Sequence, residues 1–138
     1  MNRLTKIAFA ATLAATNLAH AGDLTIHVDD LKAAGGSVMV AVFNSADTFL
    51  KTPLLATGAP AALSGNAIVI KDLPPGDYAF ALYHDANANG KMDKNMLGMP
   101  TEDYAFSNNA VGQMGPPSYD SARFAIPAAG ATVRVSLK

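Results

Sequence analysis

The densest group of side chains able to do chemistry is the run His84-Asp85-Ala86-Asn87-Ala88-Asn89-Gly90-Lys91-Met92-Asp93. Its oxygen donors recur at alternate positions, as D-x-N-x-N-G-x-x-D. That spacing matches the opening positions of a calcium-binding loop, in which alternate side chains converge on a hard cation as the backbone wraps around it. Gly90 permits the sharp turn. Lys91 offers its backbone carbonyl with its side chain facing away, and Asp93 ligates directly or through water. The expected cofactor is Ca²⁺, held by Asp85, Asn87, Asn89, Lys91 and Asp93.

The loop departs from the pattern at its last position. Met96 stands where a bidentate Glu normally closes the site. Five candidate ligands remain, and Ca²⁺ takes six to eight. Water, Asn95 or a returning carboxylate would supply the rest; Glu102, the sole Glu of the chain, and Asp103 are the nearest carboxylate candidates. Two formal charges from Asp85 and Asp93 predict weak binding, with a dissociation constant of about 10⁻⁴–10⁻³ M. The same residues admit a metal-free reading. Asn and Asp make Asx turns and tolerate left-handed backbone, and Asn-Gly favours a tight hairpin.

Two other chemistries compete with a metal. Tyr83, Tyr104, Phe106, Asn108, Asn109 and Tyr119 offer aromatic faces beside amides, which suits a glycan or a peptide outside the cytoplasm. Alternatively, those aromatics fold a long loop back onto the domain. A small hydrolase is the weaker rival. After residue 21 the chain has two histidines, His27 and His84. His27 lies opposite the apolar face of its strand. His84 ends a core-facing row and is expected to orient the loop rather than act as a base. There is no G-x-S-x-G, phosphate loop or H-E-x-x-H. Carboxylate pairs for glycoside hydrolysis could come only from Asp residues already within the metal motif. No catalytic residue is assigned, and the protein is expected not to be an enzyme.

The elements that must position this loop are strands. Leu24, Ile26 and Val28 alternate with polar neighbours, as do Val133, Val135 and Leu137. Val38–Phe43 is apolar on both faces, and Ala67–Ile70 is β-branched and apolar. Pro74-Pro75-Gly76 marks a turn before Tyr78–Tyr83, the strand that leads into the calcium motif. Phe124 and Ile126 make a further short strand. Asp47 to Phe49, before Pro53, could form a single helical turn. About seven short strands with turn signals between them predict an all-β fold, an antiparallel β-sandwich. Residues 85–119 break the rhythm, yet carry aromatics that disordered segments lack. They are expected to be one long ordered loop.

The chain has 138 residues and a formal net charge of −1, which fits one domain and no nucleic-acid partner. Residues 1–21 read as a signal peptide. Arg3 and Lys6 supply the positive start, Ile7–Leu18 the apolar stretch, and Ala19-His20-Ala21 the cleavage site. Residues 22–138 then form a single sandwich domain, periplasmic or secreted, with no membrane anchor in the mature chain. The mature net charge is −3, since Arg3 and Lys6 are lost while all acidic residues remain. The absence of Cys excludes disulfides, a lipoprotein anchor and thiolate metal sites.

With these features in place, the chain resembles a family of secreted bacterial proteins, the domain of unknown function 2141. The likeness is carried by Gly35-Gly36 before Val38-Met39-Val40-Ala41-Val42-Phe43, and by Leu73-Pro74-Pro75-Gly76-Asp77-Tyr78. His84-Asp85 to Asp93, Leu97-Gly98-Met99-Pro100 with Glu102, and Phe106-Ser107-Asn108-Asn109 add to it, and Pro116-Pro117-Ser118-Tyr119 followed by Phe124 completes it. The resemblance implies export and a prealbumin-like or immunoglobulin-like sandwich, and brings no established activity. A looser similarity links Asp85, Asn87, Asn89 and Asp93 to calcium-binding repeats of Gram-positive surface adhesins, which carry a Glu where this chain has Met96.

Overall fold

The computed structural model describes residues 21–62 and 65–138. Apart from Ala21, the signal peptide expected over residues 1–21 lies outside the described residues.

Period-two alternation builds the first sheet. β1 (Gly22–Asp29) turns Leu24, Ile26 and Val28 inward, with His27 on the opposite, half-buried face. β4 (Asn66–Leu73) pairs antiparallel with it and buries Ile68 and Ile70. β8 (Ala131–Ser136) lies on the other side of β1, giving the order β4-β1-β8. Val135 and Leu137 are buried, and Val133 packs partly buried against the core.

The second sheet takes β3 (Leu55–Pro60), β2 (Ser37–Phe43), β5 (Gly76–Asp85) and β6 (Tyr104–Phe106), hydrogen-bonded in that order. β7 (Phe124–Ile126) pairs with the start of β5. Val38, Val40 and Val42 face Leu24, Ile26 and their neighbours across one core that also holds Phe80, Leu82, Ala105 and Ile126. The molecule is thus an all-β sandwich of two mostly antiparallel sheets. One pair departs from the expectation: β1 and β8 run parallel, with Leu24 opposite Ala131 and Val28 opposite Val135.

The outer face of the second sheet carries a smaller apolar cluster. Phe43 meets Phe49 edge-to-face, with ring centroids 5.3 Å apart. Phe49 belongs to a single turn closed by its own N–H on the Ser45 carbonyl at 3.1 Å. Ala79, and Ala122 of the short helix α1 (Tyr119–Ala122), complete the cluster. The stretch 85–119 is not one loop: it returns to the sheet through β6 and a one-turn 3₁₀ segment at Ser107–Asn109. Among the described residues no helix is long and apolar enough to cross a membrane.

Candidate metal loop

β5 positions the loop. Its last two residues, His84 and Asp85, are both buried. The His84 ring donates Nε2–H to the Gly35 carbonyl at 2.7 Å, and its backbone N–H bonds to Asp103 O at 2.9 Å. Gly36 lies so close that a Cβ there would sit 2.0 Å from the Asp85 carbonyl, at a backbone φ of +63°. Only glycine fits that contact and that conformation together. The turn before β2 and the strand before the loop therefore lock each other.

From Asp85 onward the side chains turn inward on the loop. Asp85 Oδ1 accepts the Asn89 N–H at 3.2 Å, and Oδ2 accepts the Gly90 N–H at 2.8 Å. The amide of Asn87 donates to Asp93 Oδ2, and that of Asn89 to Asp93 Oδ1 at 2.7 Å. Asn87 Oδ1 and Asn89 Oδ1 cap the N–H groups two residues on, at 3.3 and 3.1 Å. Gly90 takes the left-handed φ of +79° that its place in the motif requires.

Glu102 reaches back to this loop and clasps both its ends. Oε2 accepts the Ala86 N–H at 3.0 Å, and Oε1 the Asp93 N–H at 2.9 Å. Asp103 turns away and pairs with Lys32 at 3.1 Å. Met96 is far from any closing role, since its side chain is fully exposed.

The donor set suits a hard cation in type, being all oxygen. It depends on amides, however. Among the described residues, no group of three or more His, Cys, Asp or Glu side chains is arranged to hold a metal ion. Ligation would require the amides of Asn87 and Asn89 to turn their oxygens toward the space their nitrogens now face. Near the loop, burial pushes the Tyr83 phenol above its ordinary pKa, and the carboxylates of Asp85, Glu102 and Asp93 push it further the same way.

The aromatic and amide set divides. Tyr83 and Tyr104 are paired across β5 and β6, and Tyr104 meets Phe106 edge-to-face with centroids 5.8 Å apart. Phe106 and Tyr119 pack on Phe49, at 6.5 and 5.8 Å, so these two close the loop onto the sheet. Asn108 donates its amide to the carbonyls of Ser121 and Arg123, and Asn109 accepts the Ser136 N–H. Both amides are spent on backbone. Tyr83 also lines a shallow groove of about 320 Å³ with Met39, Ala41, Phe43, Pro53 and Gly90. Sequence reasoning gave no role to Ser107, which carries three buried hydrogen-bond contacts at the root of the 3₁₀ turn.

Two sheets face to face, with an Asx-rich loop leaving the end of a central strand, define an all-β sandwich with a loop-borne candidate site. The chain belongs to the family described as an uncharacterized protein conserved in bacteria (DUF2141), whose model matches residues 26–134. That span runs from β1 to β8 and includes the whole loop. No curated protein and no solved structure matches the chain.

Proposed function

We propose that this is an exported, non-enzymatic β-sandwich protein whose Asp85–Asp93 loop holds one structural Ca²⁺. The observation that carries the reading is the gathering of four oxygen-bearing side chains in one loop: the amides of Asn87 and Asn89 meet the two oxygens of Asp93, while Asp85 accepts the backbone N–H groups of Asn89 and Gly90. Asp85, Asn87, Asn89, Asp93 and the Lys91 carbonyl are the ligands, and Glu102 holds the loop's two ends together. The ion offsets the repulsion of three neighbouring carboxylates and fixes the start of the 85–119 stretch. Export rests on residues 1–21 and places the protein where calcium is millimolar. At weak affinity that concentration contributes about 1 kcal/mol of stability.

A calorimetric calcium titration, paired with melting curves in calcium and in EDTA, tests the reading. Heat on titration and a higher Tm in calcium are expected. Identical melting in both, with no heat, would leave an Asx-rich turn and no metal.

A second reading has its own support. The groove beside Tyr83 suits a glycan or peptide, because it sets an aromatic face against small apolar side chains. A glycan array with the purified protein separates this from the purely structural role.

A further inference from the structure

The loop carries a second chemistry that needs no metal. Asn89-Gly90 is the only Asn-Gly pair in the chain. The backbone nitrogen that follows an Asn can attack its side-chain carbon and close a cyclic imide, an intramolecular reaction favoured by proximity. Glycine presents that nitrogen with no side chain in the way. Both residues are exposed, and nothing lies within 4 Å of where a Cβ on Gly90 would sit.

The fold surrounds this pair with assisting groups. Asp85 Oδ2 accepts the Gly90 N–H at 2.8 Å, so a buried carboxylate stands against the proton that the nucleophile must lose. The Lys91 N–H donates to Asn89 Oδ1 at 3.1 Å, the atom on which negative charge develops when Cγ is attacked. Asn89 Nδ2 donates to Asp93 Oδ1 at 2.7 Å. A carboxylate only accepts and a backbone N–H only donates. Asp93 and Lys91 therefore fix which end of the amide is oxygen and which is the departing nitrogen. Asp85 Oδ1 and Asn87 Oδ1 hold the Asn89 N–H from the other side, at 3.2 and 3.3 Å.

We propose that the loop is a self-modification site, in which Asp85 is the base for attack of the Gly90 nitrogen on Asn89 Cγ. The N–Cγ bond forms as the Gly90 proton passes to Asp85. The Cγ–Nδ2 bond then breaks, the proton follows the departing nitrogen, and ammonia leaves. Water opens the imide at either carbonyl, giving aspartate or isoaspartate. In sum, amide and water become acid and ammonia, with no oxidant, reductant or cofactor. The product sets a carboxylate against Asp93 where an amide donor had been, so attraction turns to repulsion and that tie is lost. The change is one-way and acts as a timer on the loop. The reaction requires no metal and does not depend on the calcium reading.

Peptide mass spectrometry of the purified protein, held near neutral pH in EGTA, reads the reaction as exchange of NH for O in the peptide that carries residues 89 and 90. Hydroxylamine, which cleaves the imide, marks the intermediate by a cut between them. The folded protein is compared with the same chain in guanidinium chloride. The folded chain should convert about tenfold faster, and Asn89→Gln should lose both the mass change and the cut. Asp85→Asn keeps an acceptor for the Gly90 N–H but removes the base. It should slow conversion about tenfold, with its fold checked by circular dichroism. Equal or slower conversion in the folded wild type overturns the proposal, and shows a loop that shields an ordinary Asn-Gly pair. A folded Asp85→Asn that converts as fast as wild type overturns it too. If Asp85→Asn does not fold, the wild-type comparison alone decides. The calorimetric calcium titration reports on the metal alone, so either reading can fail without the other.

Discussion

Ser107 occupies the place of a missing strand residue beside Phe80. β5 pairs with β7 through Gly76–Tyr78 and with β6 through Ala81–Tyr83, which leaves Phe80 between the two ladders. The Phe80 N–H donates to Ser107 Oγ at 3.0 Å, and that hydroxyl donates to the Ala122 carbonyl at 2.5 Å. Both residues are fully buried. A single hydroxyl thus continues the ladder and ties α1 to the sheet. Ser107→Ala would strand a buried amide and a buried carbonyl, at a cost of about 1–3 kcal/mol. Urea denaturation should show a lower midpoint with an unchanged slope. A midpoint equal to wild type would mean that water replaces the hydroxyl.

Two substitutions within the loop separate side-chain from backbone ligation. Asp85→Ala should abolish the calcium-dependent rise in Tm. Lys91→Ala should keep it, since the ligand proposed at residue 91 is the backbone carbonyl. The calcium-dependent gain is expected at about 1 kcal/mol in millimolar calcium. Loss of the gain in both variants would show that the lysine side chain, or general loop order, matters instead.

Glu102 clasps Ala86 and Asp93, so its removal should open the loop and leave the core intact. Glu102→Ala frees two N–H groups from a carboxylate, in a half-exposed setting that reduces the cost to about 1–2 kcal/mol. Amide hydrogen exchange should quicken at Ala86 and Asp93 and stay unchanged at Val40 in β2. Unchanged exchange at Ala86 would show that the Asp85 and Asn89 bonds suffice without the clasp.

Tyr83, Tyr78 and Tyr119 all have phenols pushed above the ordinary tyrosine value near 10, in each case first by burial. The folded state therefore favours their neutral form. Their contribution to stability is complete below the unfolded pKa near 10 and is lost as pH rises through the folded values. Alkaline melting curves should show that decline. For Tyr83 the loop carboxylates add to the upward push, so calcium should bring its ionisation partway back down. Absorbance titration of tyrosinate, with and without calcium, reads this directly. Superimposed curves would uncouple Tyr83 from the loop.

Alternation made most strands legible. Leu24, Ile26 and Val28 in β1, and Val133, Val135 and Leu137 at the other end of the chain, need no context to be read as inward-facing. β3 escaped because its sequence, Leu-Ala-Thr-Gly-Ala-Pro, lies largely exposed at a sheet edge and carries no apolar period. β6 has three residues, too few to show one. The parallel pairing of β1 with β8 leaves no local trace, because partner choice between distant strands is set by the whole fold. In the loop, spacing marked Asp85 to Asp93 as one unit, but the missing closing carboxylate left water, Asn95, Glu102 and Asp103 open, and only the fold brings Glu102 back while Asp103 pairs with Lys32. Asn108 and Asn109 looked like ligand amides. Both have positive φ, at 63° and 49°, and their side chains brace a turn, which composition cannot distinguish from a binding role.

The β1–β8 pairing orders events in time as well as space. β1 is the first described strand and β8 the last, and β1 lies between β4 and β8 in its sheet. While the chain is being synthesised or threaded from its N-terminus, that sheet can be no more than the two-stranded ribbon β1–β4, which is marginal in water. The sandwich closes only after Ala131–Ser136 has emerged, and it does so through a contact between the two ends of the domain. Closing so long a loop is slow, because the entropy is lost before the contact rewards it.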